Sequence, residues 1–360
     1  MKSIVFPGKF LLGKGILSDL ETYVKPLGKK ILVISSNSVM GIAKEKITGI
    51  PAEFVLFGGE CSRNEIKRLA GIAKEKGCDC VVGIGGGKLL DTAKSVAYDL
   101  GEPVVIVPTI AATDAPCSAL SVIYTDDHVF EDYAWLPANP NMVLIDTAIV
   151  GKAPVRYLVS GMGDALATFF EARAVRDSNS NTCAVAVPGK QTLSAYALAE
   201  LCYKTLIAEG VKAVRAMEAG VVTDAVEDII EANVLLSGIG FESGGLAGAH
   251  AIHNGLTVLP QTHSVYHGEK VAFGLIAQLV LENAPIEELN TIIGFCKSVG
   301  LPTTFAEIGL AGVSDEDLMK AAEAASVPGE TIHCEPLVVT ADKVFAALKA
   351  ADSFGKAYKG

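Results

Sequence analysis

The chain has 360 residues, half of them hydrophobic, and sets 30 Lys and Arg against 41 Asp and Glu for a formal net charge of −11. That length exceeds what one hydrophobic core usually serves, so two domains are expected. The acidic balance speaks against a nucleic-acid partner, which needs clustered cations to displace counterions, and fits a cytoplasmic protein. The opening MKSIVFPGKFLLGKG has no long apolar run and no small-residue cleavage site, so no signal peptide is expected. No stretch reaches the roughly 18 apolar residues of a membrane span, so no membrane partner is expected either. The eight cysteines include no C-x-x-C pair and sit mostly in apolar runs such as GCDCVVGIG, which points to reduced, structural thiols.

Taken in chain order, the first half alternates short β-branched runs with helical patterns. KKILVISS (29–36), AEFVLFG (52–58), CDCVVGIG (78–85), PVVIVPT (103–109) and NMVLIDT (141–147) read as buried strands. NEIKRLAGIAKEKG and KLLDTAKSVAYDLG space their apolar residues by three and four, and each ends at Gly. Strands alternating with helices predict βαβ units and a mostly parallel sheet. TDDHVFEDYAWLP reads as a hairpin inserted before the strand at 141. After KAPVRYLVS the alternation stops, and the chain reads as successive helices with no fixed repeat, from GDALATFFEARA to ADKVFAALKAADSFGKAY. The expected division is an α/β dinucleotide-binding domain over 1–155 and a helical metal- and substrate-binding domain over 156–360, with a ligand cleft between them.

Two loops at strand ends are candidate ligand sites. In CVVGIGGGKLLDTAK, Gly85, Gly86 and Gly87 have no Cβ, so backbone N–H groups can approach an anion at a helix start. The letters fit neither G-x-G-x-x-G nor the Walker pattern, since Lys88 and Leu89 stand at the deciding positions. A diphosphate cradle is expected, with Lys88 available for its charge and Lys94 read as a solvated helix residue. In VPTIAATDAPCSALSVIYT, the residues Thr109, Thr113, Asp114 and Ser118 supply polar groups where open parallel sheets bind ligands. Asp114 there is either a turn or cap residue or a ligand contact.

Histidine is scarce, with six in the chain, yet four of them (250, 253, 263 and 267) fall within AHAIHNGLTVLPQTHSVYHGEK. Asp164, in SGMGDALATFF, is a carboxylate among small and apolar residues at an expected helix start, where it should cap, pair or ligate. Two of these imidazoles with that carboxylate make a three-ligand site with an open position, compatible with Zn²⁺ or Fe²⁺. A divalent ion there would ease loss of an alcohol proton, and a nicotinamide would accept the hydride from carbon.

These segments converge on a family. FGGECSRNEIKRLAGIA, GIGGGKLLDTAKSVA, PTIAATDAPCSALSVIYT, APVRYLVSGMGDALATFFEARA, GFESGGLAGAHAIHNGLTVLP and VYHGEKVAFG resemble the glycerol dehydrogenase family. That family is a zinc-using branch of the iron-containing alcohol dehydrogenase superfamily, and the resemblance runs nearly the full length. It implies the dehydroquinate synthase-like fold, a Rossmann-like α/β domain followed by an all-helical one. It implies oxidation of a small polyol such as glycerol by NAD in a homo-oligomer, octameric in relatives. It also implies metal ligands at Asp164, His250 and His267, with His253 as a neighbouring proton-relay group and His263 in a loop. The pyrophosphate would lie on Gly86, Gly87, Lys88 and the turn to Asp91. Thr109 and Ala112 would lie on the adenine side, and Ser118, Leu120 and Tyr124 by the nicotinamide. Asp114 would accept a hydrogen bond from a polyol hydroxyl.

Two departures matter. Iron-using relatives carry a histidine four residues after the aspartate, where this chain has Thr168, which favours zinc. Relatives often bind the adenosine ribose with an aspartate after the first strand, where this chain has Ser36, so NAD is expected to be preferred with weaker discrimination against NADP. The rival readings on the same fold are a glycerol-1-phosphate dehydrogenase and an NAD- and zinc-using sugar-phosphate cyclase. Both need a basic pocket, for which only Arg156, Arg173 and Lys270 stand out. A non-catalytic descendant would have lost a ligand, and Asp164, His250 and His267 all stand.

Overall fold

The β-branched runs of the first half form one parallel sheet because both of its faces find apolar cover. The structure, a computed structural model, describes residues 1–359. The elements in order are β1 (Phe10–Gly13), α1 (Leu20–Val24), β2 (Ile31–Ser35), α2 (Asn37–Lys46), β3 (Ala52–Leu56), α3 (Arg63–Lys76), β4 (Cys80–Gly85), α4 (Gly87–Leu100) and β5 (Val104–Pro108). A hairpin of β6 (Leu120–Tyr124) and β7 (Phe130–Trp135) follows, then β8 (Met142–Asp146) and the short α5 (Thr147–Val150). The sheet order is β1-β8-β5-β4-β2-β3 and every pairing in it is parallel. Strand alternation sorts the side chains: Ile31 and Val33 enter the core on one face, while Leu32 and Ile34 join the core that continues into the helical half. Gly77 and Gly101 end α3 and α4 in the left-handed region, φ 65° and 71°, as the terminal glycines of both patterns foretold.

The second half comprises α6 (Val155–Asp177), α7 (Leu193–Glu218), α8 (Asp224–Glu231), α9 (Ser237–Ile239), α10 (Gly248–Leu256), α11 (His267–Leu281), α12 (Ile286–Val299), α13 (Asp315–Ala324) and α14 (Ala341–Ala357). The run from Asp224 to Gly244 is continuous helix, with π-helical turns at Ala232–Leu236 and Gly240–Gly244 flanking α9. Such turns re-aim side chains within a helix. Among the described residues no helix is long and apolar enough to cross a membrane. All eight cysteines are free thiols.

Three sequence expectations need correction. β1 was not expected; its four residues are too short a run to register, yet it closes the sheet edge by pairing in parallel with β8. The hairpin begins five residues earlier than TDDHVFEDYAWLP, at Leu120, so its first strand is the end of the loop that carries Asp114. Asp164 does not stand at a helix start. Pro154 precedes a helix that begins at Val155, so Asp164 is mid-helix and cannot serve as its cap.

Candidate metal centre and cofactor cleft

Glycines let three helices meet closely enough to share one point. A Cβ at Gly268 would lie 1.8 Å from the Ser160 carbonyl oxygen, and one at Gly163 would lie 2.3 Å from the Gly268 carbonyl oxygen. Backbone approach at this α6–α11 crossing sets Asp164 of α6 against His267, the first residue of α11. His250 enters from α10. The Nε2 atoms of His250 and His267 lie 3.2 and 3.1 Å from the same oxygen, Oδ1 of Asp164. One ligand atom from each of these residues falls within 4.8 Å of the others, a spacing that suits one metal ion. Two ring nitrogens aimed at one carboxylate oxygen are a donor set for a divalent cation with room for a further ligand.

The electrostatics are those of a buried, concentrated site. Asp164 is fully buried, yet the two imidazoles hold its carboxyl well below the usual range against the cost of burial. His250 lies between two carboxylates, Asp164 and Glu171, which raise it well above an ordinary histidine despite burial. His253 is driven well below by burial, with the neighbouring His267, Lys270 and His250 adding to the effect. Its Nε2 lies 3.0 Å from His267 Nδ1 and its Nδ1 lies 3.1 Å from Asn254 Oδ1. With a metal taking His267 Nε2 beside Asp164, the proton of His267 would sit on Nδ1 and be accepted by His253 Nε2, so His253 would orient a ligand candidate. His263 is exposed, bonded to the Thr257 carbonyl, and takes no part.

Asp114 reaches the same place from the loop after β5. Its backbone N–H points at Asp164 Oδ2 across 3.4 Å. The side chain caps nothing; it accepts a hydrogen bond from Ser237 Oγ at 2.7 Å. Burial and the Asp164 charge push its carboxyl well above the usual range. Ser237 is bonded to Thr168 Oγ1 at 2.9 Å, so the threonine at the departing position joins the hydrogen-bond chain that ends on Asp114. Sequence reasoning missed the residues of the π-helical run that brace these loops. Asn233 donates to the carbonyls of Ala111 and Leu158, and Glu242 accepts from the Ala119 N–H at 3.0 Å and from Asn139 at 2.5 Å. The one signal available was buried polar residues spaced through NVLLSGIGFESGG.

The glycine loop divides by role. Cβ atoms at Gly83 and Gly85 would lie 2.5 Å from Ala93 and 2.8 Å from Leu89, so those glycines pack the helix on the strand. Gly87 faces open space, and Gly86 meets only Ile110 at 3.4 Å. Both have ordinary backbone angles open to any residue, and α4 starts without a side-chain cap. Open glycines before an uncapped helix leave unsatisfied N–H groups for an anion. Lys88 is not waiting there: its ammonium is bonded to Glu60 at 2.6 Å and lies 4.4 Å from the Tyr124 ring centroid. Asp91 is buried, pairs with Lys94 at 2.9 Å and accepts from the Val122 N–H at 3.0 Å. Lys94 is the clear correction, being 1 % exposed where a solvated residue was expected. Its ammonium also donates to the carbonyls of Ala115, Ser118 and Leu120, stitching the second loop to α4. Ser118 and Leu120 are thus held against α4, Thr109 bonds the Gly85 carbonyl through its N–H, and the Ala112 carbonyl receives the Ser160 hydroxyl at 3.5 Å. Ser36 caps no amide of α2 through its side chain, and its hydroxyl meets Ser38 at 3.0 Å.

A family model described as iron-containing alcohol dehydrogenase matches residues 7–147. The glycerol dehydrogenase of Escherichia coli O6:H1 is 53 % identical over 98 % of this chain and 97 % of its own length. That of Thermotoga maritima is 54 % identical over 99 % of this chain and 98 % of its own. The chain belongs to the glycerol dehydrogenase branch of the iron-containing alcohol dehydrogenase family. Among solved structures, a probable glycerol dehydrogenase from Sinorhizobium meliloti 1021 superposes with a TM-score of 0.94 at 45 % identity, covering 99 % of both chains. The parallel-sheet α/β half and the helical remainder are therefore the iron-containing alcohol dehydrogenase fold.

Proposed function

We propose that this chain oxidises a secondary alcohol of a small vicinal polyol, with glycerol as the first candidate and dihydroxyacetone as its product, by passing the hydride to NAD. The observation that carries the reading is the convergence of His250 Nε2 and His267 Nε2 on one buried oxygen of Asp164 beside Asp114. Identity of 53–54 % to proteins named glycerol dehydrogenases supports it. Asp164, His250 and His267 would hold the metal; Gly86, Gly87 and the start of α4 would hold the pyrophosphate. Residues 1–155 would thus serve the dinucleotide and 156–360 the metal. Zinc suits the site better than iron because Thr168 offers no fourth imidazole. Held by Asp164, His250 and His267, a divalent metal would supply Lewis acidity to a bound alcohol oxygen, and a nicotinamide would supply the hydride acceptor.

The chain's own residues do the rest. Asp114, held by Ser237, would receive a hydroxyl next to the reacting carbon. With metal on His267 Nε2, His253 would accept the proton left on His267 Nδ1. Ser118, Leu120 and Tyr124 would wall the nicotinamide, Thr109 and Ala112 the adenine side, and Ser36 would meet the ribose. Readings that need a phosphorylated substrate lack a basic pocket. Arg156 is engaged by Glu269, and Arg173 by Glu282 and Glu288. Of these three cations, Lys270 alone has no ion-pair partner among the described residues. A cytoplasmic homo-oligomer is the expected setting. Chelator treatment should abolish alcohol-dependent NADH formation, and zinc should restore it for vicinal diols. His267→Ala should remove turnover while keeping NAD binding. Undiminished activity in the metal-free protein would refute the reading.

A further inference from the structure

Glu171 lies on α6 seven residues after Asp164, and two helical turns put both carboxylates on one face. Its side chain is fully buried and meets no Arg or Lys within ion-pair distance among the described residues. A carboxylate in such a place must be satisfied by hydrogen bonds. Oε2 lies 2.6 Å from His250 Nδ1. Oε1 accepts from the backbone N–H groups of Ala247 at 2.9 Å and His250 at 3.0 Å. The two amides between them go to Glu335 and Gln278, from Gly248 and Ala249 at 2.9 and 2.8 Å. Since α10 has no cap of its own, its first turn is held entirely by side chains of other elements, and Glu171 alone grips both the backbone and the ring of His250.

We propose that Glu171 is the positioning residue that makes His250 a metal ligand. This rests on the metal centre proposed above. A carboxylate only accepts hydrogen bonds, and His250 has one at each ring nitrogen, so a metal binding at Nε2 would leave the ring a single proton, which Glu171 would hold on Nδ1. The lone pair is then on Nε2, facing Asp164, and the grip on the backbone fixes the angle of the ring. The other histidine is held differently, because His267 Nδ1 meets another imidazole ring, that of His253, and His253 makes no hydrogen bond to the backbone N–H of His267. Loss of Glu171 therefore weakens metal binding more than loss of His253.

The test is zinc affinity of the metal-free protein, read by competition with a chromophoric chelator, for the parent, Glu171→Gln and His253→Ala. In Glu171→Gln the amide oxygen can serve the two backbone N–H groups, which leaves its NH₂ facing Nδ1. That arrangement drives the histidine proton to Nε2, where the metal bond must form. Zinc affinity should fall roughly 10- to 100-fold, further than in His253→Ala, with NAD binding and far-UV circular dichroism of the metal-free protein unchanged. Parent-like zinc affinity in Glu171→Gln overturns the proposal. So does loss of NAD binding and helix content together with zinc, which marks a general structural role. Solid-state ¹⁵N spectra of the histidine-labelled, zinc-loaded parent need no variant: they should show His250 protonated at Nδ1 and bound through Nε2, and the reverse assignment also overturns it. A parent that takes up no divalent metal refutes the metal centre itself, a result distinct from all of these.

Discussion

Replacing Lys94 by Met should be among the costliest single changes outside the metal centre. The ammonium is buried, 2.9 Å from Asp91 and bonded to the carbonyls of Ala115, Ser118 and Leu120. Met is close in length and fits the same channel without the charge. The Asp91 carboxylate then keeps one bond, from the Val122 N–H at 3.0 Å, and loses its only cation. Breaking a buried pair by removing one partner costs about 3–5 kcal/mol, mostly from the charge left behind. Removing that charge as well should return part of the loss, so Asp91→Asn with Lys94→Met should be less destabilised than the two single costs added together. Urea unfolding of the metal- and NAD-free proteins, followed by circular dichroism, measures both quantities. Because residues 115–120 are tied to α4 through this ammonium, KM for NAD should rise in Lys94→Met before kcat falls. A Lys94→Met protein within about 1 kcal/mol of the parent, or a double variant whose cost is simply additive, would show that the pair is not what holds the loop.

Glu335 and Ser36 give two independent tests. Burial first, then the facing carboxylates Glu282 and Glu171, push the Glu335 carboxyl up to about 9 from an ordinary 4.5; Arg173, the cation of that cluster, is committed to Glu282 and Glu288. The folded protein then keeps a proton that the unfolded chain releases, so this contribution is full below about 4.5 and is lost as pH rises toward 9. Glu335→Gln stays neutral and can still accept from the Gly248 N–H, so its unfolding free energy should fall less steeply with pH across that window; equal slopes would refute the assignment. For Ser36, kcat/KM should favour NAD only modestly, and Ser36→Asp should lower the NADP value at least about tenfold through like-charge repulsion. A parent that prefers NADP strongly would overturn that reading.

Periodicity located the main sheet because β2, β4, β5 and β8 are buried on both faces and read as continuous apolar runs. It missed β1, whose stability comes from a partner more than 130 residues away and not from its own four residues. The histidines were visible as a cluster because the residue is rare here, whereas their pairing with Asp164 depends on a helix crossing that only close glycine contacts allow. Lys94 was misread for a related reason. A lysine in a helical pattern looks solvated, and nothing local announces that a distant loop will offer it three carbonyls. Glu171 was hidden likewise, since FFEARA shows an acid in a helix and gives no sign of the α10 amides it serves.

Thr168 links these levels at the point where a fourth imidazole would stand. Ser237 gives its proton to Asp114, so the Thr168 hydroxyl must give its own to Ser237, and the chain of donors runs one way toward the acid. There is no space to trade this threonine for a histidine: a Cβ at Gly240 would lie 2.2 Å from Thr168 Cγ2, so the π-helical turn already packs against the methyl. Thr168→Val keeps that packing and removes the donor. It should leave zinc affinity unchanged, because the hydroxyl is spent on Ser237, and should raise KM for glycerol as Ser237 turns from Asp114 to find another partner. The buried hydroxyl left short of a partner should also cost about 1–3 kcal/mol of stability. Chelator competition and initial rates on the same preparation separate the outcomes. A fall in zinc affinity would move Thr168 into the metal's own coordination, and an unchanged KM would show that the acid at 114 does not depend on this chain.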